Sequence, residues 1–339
     1  MKARFVLSKK KVLEQYNILK DLGLKVSYSV KTNPEVSKVL EEETDCWFSI
    51  HSKNNLNYIK DKSKVWYLPQ AWSKEDIKEL VGLGINKFII DNETDLKVLL
   101  EFKFESKIDL LLRMKLKENT IFTGKYYVFG FDCKELNEWI SKLRDLEFID
   151  RLGVHFHRKT HNLSEWSLKL ELLDSLEEET LKKIDLMNIG GGMPAKYKNI
   201  NPKTMPHIFD KIKELKEWLG EYNVELISES SRFICAPAVK LETEIKLVLG
   251  NTVIVNASVY NTAMDILLVP IKLLIEGELD KGKEYVVKGS TPCSADIFRY
   301  KVKLNSPKVG DKITFLNAGA YNFHTNFCNL NKIETVVVE

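Results

Sequence analysis

Four short segments carry the side chains best suited to chemistry. Lys31 closes the run Val26-Ser27-Tyr28-Ser29-Val30-Lys31-Thr32-Asn33-Pro34, in which an alternating β-type segment ends in a lysine and is stopped by a Thr-Asn-Pro turn. A lysine at a strand's C-terminal end can be held out of bulk water, which lowers its pKa and makes its amine a nucleophile for an aldehyde. The alternative is a solvated surface lysine. Ile189-Gly190-Gly191-Gly192-Met193-Pro194 places three glycines after a strand-like run. Such a loop lets the backbone approach a ligand and aims amides at phosphate oxygens, or else it is a flexible turn. In Ser228-Glu229-Ser230-Ser231-Arg232 an acid precedes an arginine by three positions. The guanidinium suits a phosphate dianion and the carboxylate suits a protonated ring nitrogen, against the plainer reading of a surface ion pair. In Gly153-Val154-His155-Phe156-His157 strand alternation puts both histidines on one side. His157, at the strand end, suits stacking on a ring. The competing readings are a hydrogen-bonded core pair, or a metal site with His161 that lacks an accompanying acid or thiol cluster.

These residues need elements that bring them to one place. From about residue 26 to 235, strand-like runs at 26–30, 65–68, 87–90, 108–113, 151–157, 186–189 and 224–228 alternate with helical patterns such as 73–82, 134–146, 163–175 and 206–219. Seven or eight such βα units predict a parallel (β/α)8 barrel over an open sheet. Lys31, His157, Gly190–Gly192 and Glu229 then all follow strands, on the face where these barrels place their chemistry. After residue 236 the pattern changes to consecutive strands at 239–249, 252–255, 283–287, 312–316 and 333–338, which predicts a β-domain. Residues 1–25, with one strand-like piece and one helix, are assigned to that second domain together with 236–339. Thr291-Pro292-Cys293-Ser294-Ala295-Asp296 and Ala318-Gly319-Ala320-Tyr321 fall in it, and alone would be an ordinary thiol and an ordinary turn.

Composition narrows the class. With 339 residues, 44% hydrophobic and 29% charged, the chain can bury one large or two medium cores. The net charge of +3, from 51 basic and 48 acidic residues spread along the chain, announces no nucleic-acid face. No run approaches the roughly 18 apolar residues of a membrane helix, and no secretory h-region is evident, so the expected location is cytoplasmic. Five widely spaced cysteines without a Cys-x-x-Cys pair support neither a disulfide framework nor a zinc knuckle.

Taken in order, Ser-Val-Lys-Thr-Asn, the Arg113 strand, Gly-x-His-Phe-His, Gly-Gly-Gly-x-Pro, Glu-x-x-Arg, Cys-x-x-Asp and Gly-Ala-Tyr closely resemble the fold-type III, alanine-racemase-like pyridoxal-phosphate decarboxylases. That family acts on ornithine, arginine, lysine, diaminopimelate or carboxynorspermidine. The resemblance spans nearly the whole chain. It implies a TIM-like barrel with a C-terminal β-domain, pyridoxal 5'-phosphate as cofactor, no metal, and an amino-acid substrate. Lys31 would bind the cofactor's aldehyde, His157 would stack on its ring, and Glu229 would bond the ring nitrogen. Arg113, Thr160, Gly190, Gly191, Gly192, Arg232 and Tyr321 would complete the cofactor site. Cys293 would enter the neighbouring subunit's active site and manage protonation after loss of CO2, which implies an obligate homodimer. Asp296, Tyr260 and Asp265 are the candidate substrate contacts.

The chain departs from the family pattern in places. The usual Glu-Pro-Gly-Arg loop is Glu229-Ser230-Ser231-Arg232, and the usual Gly-Ser after the stacking histidine is Lys159-Thr160. The cysteine motif is one residue short, so the usual reader of a distal amine is missing if Asp296 is only structural. The segment Ala257-Ser258-Val259-Tyr260-Asn261-Thr262-Ala263-Met264-Asp265 resembles the carboxynorspermidine branch more than ornithine decarboxylase, whereas Arg232 does not. The expected activity is decarboxylation of a basic or diamino acid in polyamine or lysine metabolism. An amino-acid racemase and a non-catalytic pyridoxal-phosphate-binding regulator stand as alternatives.

Overall fold

The computed structural model describes residues 1–116, 129–157, 167–200, 202–322 and 329–339. The chain begins with β1 (Arg4–Ser8) and α1 (Lys9–Asp21). Eight parallel strands follow: β2 (Lys25–Ser29), β3 (Trp47–Ile50), β4 (Val65–Tyr67), β5 (Lys87–Ile90), β6 (Ile108–Arg113), β7 (Ile149–His155), β8 (Leu186–Asn188) and β9 (Glu225–Ser228). They pair in chain order and close when Lys25 and Val26 meet Ile227 and Ser228. Between them run α2 (Pro34–Glu43), α3 (Lys74–Gly82), α4 (Glu93–Leu100), α5 (Cys133–Leu143), α6 (Leu168–Ser175), α7 (Glu178–Lys183) and α8 (Met205–Gly220). Their starts follow from sequence: Ser73 with Asp76 and Asp132 with Glu135 form capping boxes, while Asn33 and Asn92 accept from backbone amides at the heads of α2 and α4.

The barrel interior explains where chemistry can sit. Side chains two apart on a strand share a face. The lower interior is an apolar plug of Trp66, Ile89, Leu111, Leu186 and Ile227, with Trp47 and Leu68 packed on it. One step up the same strands, the inward positions become Ser49, Arg113, His155, Asn188 and Glu229, and one further step adds His51 and His157. The change from apolar to polar within a strand is what leaves a reactive floor above a packed core. Gly153 belongs to the plug level, where a Cβ would come 2.1 Å from the Leu186 carbonyl oxygen and 2.7 Å from Leu111.

After α9 (Ser231–Ala238) the chain builds a mixed sheet from β10 (Val239–Leu249), β11 (Thr252–Val255), β12 (Leu274–Ile275), β13 (Glu284–Lys288), β14 (Ile297–Lys303), β15 (Lys312–Leu316) and β16 (Glu334–Val338). Its path is β12-β15-β10-β11-β13-β14, with β1 antiparallel to β10 and parallel to β16. Two short helices, α10 (Val259–Thr262) and α11 (Asp265–Leu268), follow β11. The first 25 residues are shared rather than assigned to the sheet: β1 lies in it, but α1 packs against α9, α2 and β2 of the barrel. Among the described residues no helix is long and apolar enough to cross a membrane.

The two parts meet at the turn that carries Lys31. The Thr32 carbonyl accepts from the Tyr321 N–H at 2.8 Å, and the Asn33 side chain donates to the Gly319 carbonyl at 3.0 Å. Gly319 is required there, because a Cβ would lie 1.8 Å from the Cys235 carbonyl oxygen. Tyr321 itself has φ +60°, a left-handed conformation costly for a tyrosine and held by these bonds.

Candidate active site

A cavity opens at the C-terminal mouth of the barrel. Its walls include Ser29, Lys31, Thr32, Ser49, His51, Arg113, His155, His157, Gly191, Gly192, Glu229, Ser231, Arg232 and Tyr321. Lys31 stands on the short 3-10 turn Val30–Thr32 that follows β2. Its side chain runs along the open mouth and keeps contact with solvent, yet the walls withdraw water from the ammonium. Burial lowers its pKa, the Glu229 carboxylate opposes that, and the Arg113 charge adds to it. Among the described residues Lys31 makes no hydrogen bond or ion pair, which suits an amine that must react rather than support.

Glu229 is the hub of the cavity floor. Its Oε1 accepts from the Ser49 hydroxyl at 2.7 Å and from the Asn188 side-chain amide at 3.0 Å, and lies 3.7 Å from His155 Nε2. Ser49 is in turn 2.7 Å from the Ser27 hydroxyl. Burial pushes the carboxyl up, but the His155 imidazole and the Ser49 hydroxyl outweigh it and hold the pKa down to about 2. The cavity therefore presents a carboxylate at neutral pH, fixed by donors on one oxygen. Asn188 also accepts from the Gly190 N–H at 2.9 Å, so one fully buried amide ties the acid to the glycine loop.

His157 follows the end of β7, two residues earlier than the strand expected over 151–157, because the ladder with β8 stops at His155 and Asn188. Its Nδ1 accepts from the Gly191 N–H at 3.1 Å. An acceptor nitrogen carries no proton, so this bond keeps the ring neutral; although the residue is open to the cavity mouth, loss of water to the surrounding walls lowers its pKa in the same sense. The glycine loop is shaped around the ring. Gly190 has φ +62°, and a Cβ on it would fall 2.3 Å from the Phe156 carbonyl oxygen. Gly190→Ala should cost about 1–3 kcal/mol in strain alone and weaken cofactor binding at least tenfold; cofactor titration followed by absorbance checks this.

At the far side Arg232 occupies the first turn of α9, where helix N–H groups favour an anion. Its guanidinium is 6% exposed and lies 5.0 Å above the Tyr321 ring. Arg232 Nε and Thr32 Oγ1 are buried with no hydrogen-bond partner among the described residues. Two such polar atoms on the wall that also carries Gly192 form a cradle that a phosphate would satisfy. The serines of the altered loop are used locally: Ser231 Oγ accepts from the Ser29 N–H at 2.7 Å, and the Ser228 and Ser230 hydroxyls are 2.7 Å apart.

Several candidates lie elsewhere. Asp265 does not face the cavity; its carboxylate pairs with Arg232, one oxygen at 3.0 Å from Nη2 and the other in contact with Nη1, and both partners are buried. Its role is to fix the guanidinium, with the Tyr197 hydroxyl 3.1 Å from Nη1. Asp296 is fully buried and spent on backbone: Oδ1 accepts from the Val259 N–H at 2.8 Å, Oδ2 from the Thr291 N–H at 3.0 Å and hydroxyl at 2.6 Å. Neither acid is available to a substrate amine. Tyr260 and Cys293 meet each other at 2.8 Å and do not line the Lys31 cavity of their own chain. Thr160 lies outside the described residues. Ser49, His51 and Asn188 were not among the residues expected from the sequence; β3, which carries the first and precedes the second, was not expected either.

The family described as "pyridoxal-dependent decarboxylase, pyridoxal binding domain" matches residues 9–236. The chain belongs to this family. It is a pyridoxal-dependent carboxy-lyase, and the cofactor its cavity fits is pyridoxal phosphate. This decarboxylase is 23% identical to the diaminopimelate decarboxylase of Pseudomonas fluorescens over 99% of its own length and 87% of that protein's. It is also 23% identical to the diaminopimelate decarboxylase of Methanothermobacter thermautotrophicus, over 88% and 76%. Among solved structures it superposes on the lysine/ornithine decarboxylase of Vibrio vulnificus with a TM-score of 0.82 at 19% identity, covering 99% of this chain and 94% of that one. The arginine decarboxylase of Paramecium bursaria Chlorella virus gives 0.81 at 18% identity, covering 100% and 96%. These likenesses establish the decarboxylase's barrel-plus-β-domain fold.

Proposed function

We propose that this enzyme removes CO2 from an amino acid bearing a second basic group, such as lysine, ornithine, arginine, diaminopimelate or carboxynorspermidine. The observation that carries the reading is Glu229: a carboxyl group held by the Ser49 and Asn188 donors on the cavity floor, in the same cavity as Lys31 and Arg232. When bound, pyridoxal phosphate supplies an electron sink for the carbon that loses CO2, and it is strongest with its ring nitrogen protonated. Glu229 would hold that proton, His157 would lie against the ring, and Arg232, Gly191, Gly192, Thr32 and Tyr321 would hold the phosphate. Lys31 would take the aldehyde and later release the product amine. A racemase would pair the ring nitrogen with an arginine, and the carboxylate at this position favours decarboxylation.

The relatives' substrates support a basic side chain, although Asp296 and Asp265 do not read it. Cys293 is exposed and belongs to the β-domain; we assign it to the cavity of a second subunit in a homodimer, where it protonates the carbon after CO2 leaves. Cys293→Ala should then lower product formation about 10–100-fold and raise the fraction of cofactor lost as its amine form, measured by product chromatography. Unchanged turnover and partition would remove the thiol from the reaction.

The decisive assay is CO2 release by cofactor-loaded protein given L- and D-ornithine, lysine, arginine, meso-diaminopimelate and carboxynorspermidine separately. Release from one identifies the substrate. No release from any, with inversion of Cα instead, would replace the reading by a racemase.

A further inference from the structure

The loop that bears Cys293 is gripped twice by one short helix. Val259 and Tyr260, neighbours at the start of α10, reach its base and its tip: the Val259 N–H donates to Asp296 at 2.8 Å, and the Tyr260 hydroxyl lies 2.8 Å from Cys293 Sγ. The base is also closed by the Gly289 N–H on the Asp296 carbonyl at 2.9 Å. Glycine is needed at 289, where a Cβ would sit 2.1 Å from the Asp296 carboxylate. The phenol is 7% exposed while the thiol is open to solvent, so the fixed partner is the tyrosine. The Tyr260 hydroxyl foremost, then the backbone N–H groups of Ala295 and Asp296, lower the thiol pKa; the Asp296 carboxylate opposes them.

We propose that Tyr260 is the positioning residue of the Cys293 thiol, holding its sulfur at one point and stabilising by hydrogen bond the charge left on sulfur after proton donation. The step balances simply. The S–H proton passes to the carbon that has lost CO2, and the bonding pair stays on sulfur. The resulting thiolate accepts from the Tyr260 O–H, and solvent returns a proton to sulfur before the next turnover. A thiol whose ionised form is stabilised in this way is the stronger acid. The inference rests on the assignment of Cys293 to the reaction but is tested apart from it.

The test is the pH dependence of iodoacetamide alkylation at Cys293 in the cofactor-loaded protein, followed by peptide mass spectrometry with Cys133 as the internal reference thiol. In the unaltered protein Cys293 should titrate below the ordinary thiol value of about 8.5; a midpoint at or above it overturns the proposal even if no variant folds. Tyr260→Phe should raise the midpoint by about one pH unit and increase loss of cofactor as its amine form, with KM little changed. Superimposable profiles for the two proteins overturn it. CO2 release without a shifted profile defeats this proposal alone, and a shifted profile without CO2 release defeats the decarboxylase reading alone.

Discussion

Lys31→Ala lowers kcat by at least about 10³-fold, the scale expected when a covalent nucleophile is removed, and abolishes the visible absorbance of the lysine-bound cofactor. The expectation follows from position and from environment. β2 delivers the residue to the cavity mouth, and the turn behind it is stapled to Gly319 and Tyr321 by two long-range hydrogen bonds. Its amine is lowered in pKa by burial and, among the described residues, has no partner to give up. Because the pKa is lowered, the neutral amine becomes available at a pH below that of a solvated lysine. Lys31→Arg should be as inactive as the alanine variant, since a guanidinium keeps the charge but does not act as a nucleophile. Appreciable turnover by either variant would remove Lys31 from the chemistry.

The second large effect is at Glu229. Glu229→Gln keeps the shape and the Ser49 contact but removes the charge, and should lower kcat about 10²–10³-fold with a much smaller change in cofactor affinity, because the phosphate cradle is separate. The pH profile sharpens this. The carboxyl is held near 2, so it stays ionised as the pH falls through the range in which the enzyme is assayed, and it gains a proton only far below that range. Any acid limb of kcat/KM therefore belongs to another group and should persist unchanged in the glutamine variant. An acid limb that disappears with Glu229 would mean its carboxylate titrates near neutrality and is not stabilised as described. Ser49→Ala should show a weaker version of the same loss.

Much of the site was legible in the chain because strand ends announce themselves. Lys31, the glycine run and Glu229 each follow a short strand-like segment, and the parallel barrel converts that local fact into proximity. What was not legible depended on partners distant in sequence. β3 is a four-residue run, Trp47–Ile50, with one serine in it. Nothing local distinguishes it from loop, yet it places Ser49 on Glu229 across 180 positions. Asp296 was expected at the substrate because an acid in the cysteine motif can read an amine, and Asp265 because it closes the 257–265 segment that resembles the carboxynorspermidine branch. Both turned inward, one to neutralise a buried arginine and one to tie up backbone amides, and a buried charge or amide imposes such pairing more strongly than a sequence reveals. The first helix was displaced for a similar reason: its apolar face, Val12, Tyr16 and Leu19, is satisfied by barrel helices rather than by the sheet that holds β1.

The most direct test is to reduce the cofactor-loaded protein with borohydride, digest it, and find the lysine that carries the pyridoxyl group. Attachment at Lys31, in a peptide left uncut at that lysine and reading on through Thr32-Asn33-Pro34, is the expected result. Attachment at any other lysine, or none with the cofactor bound, would contradict the placement of the reaction in this cavity.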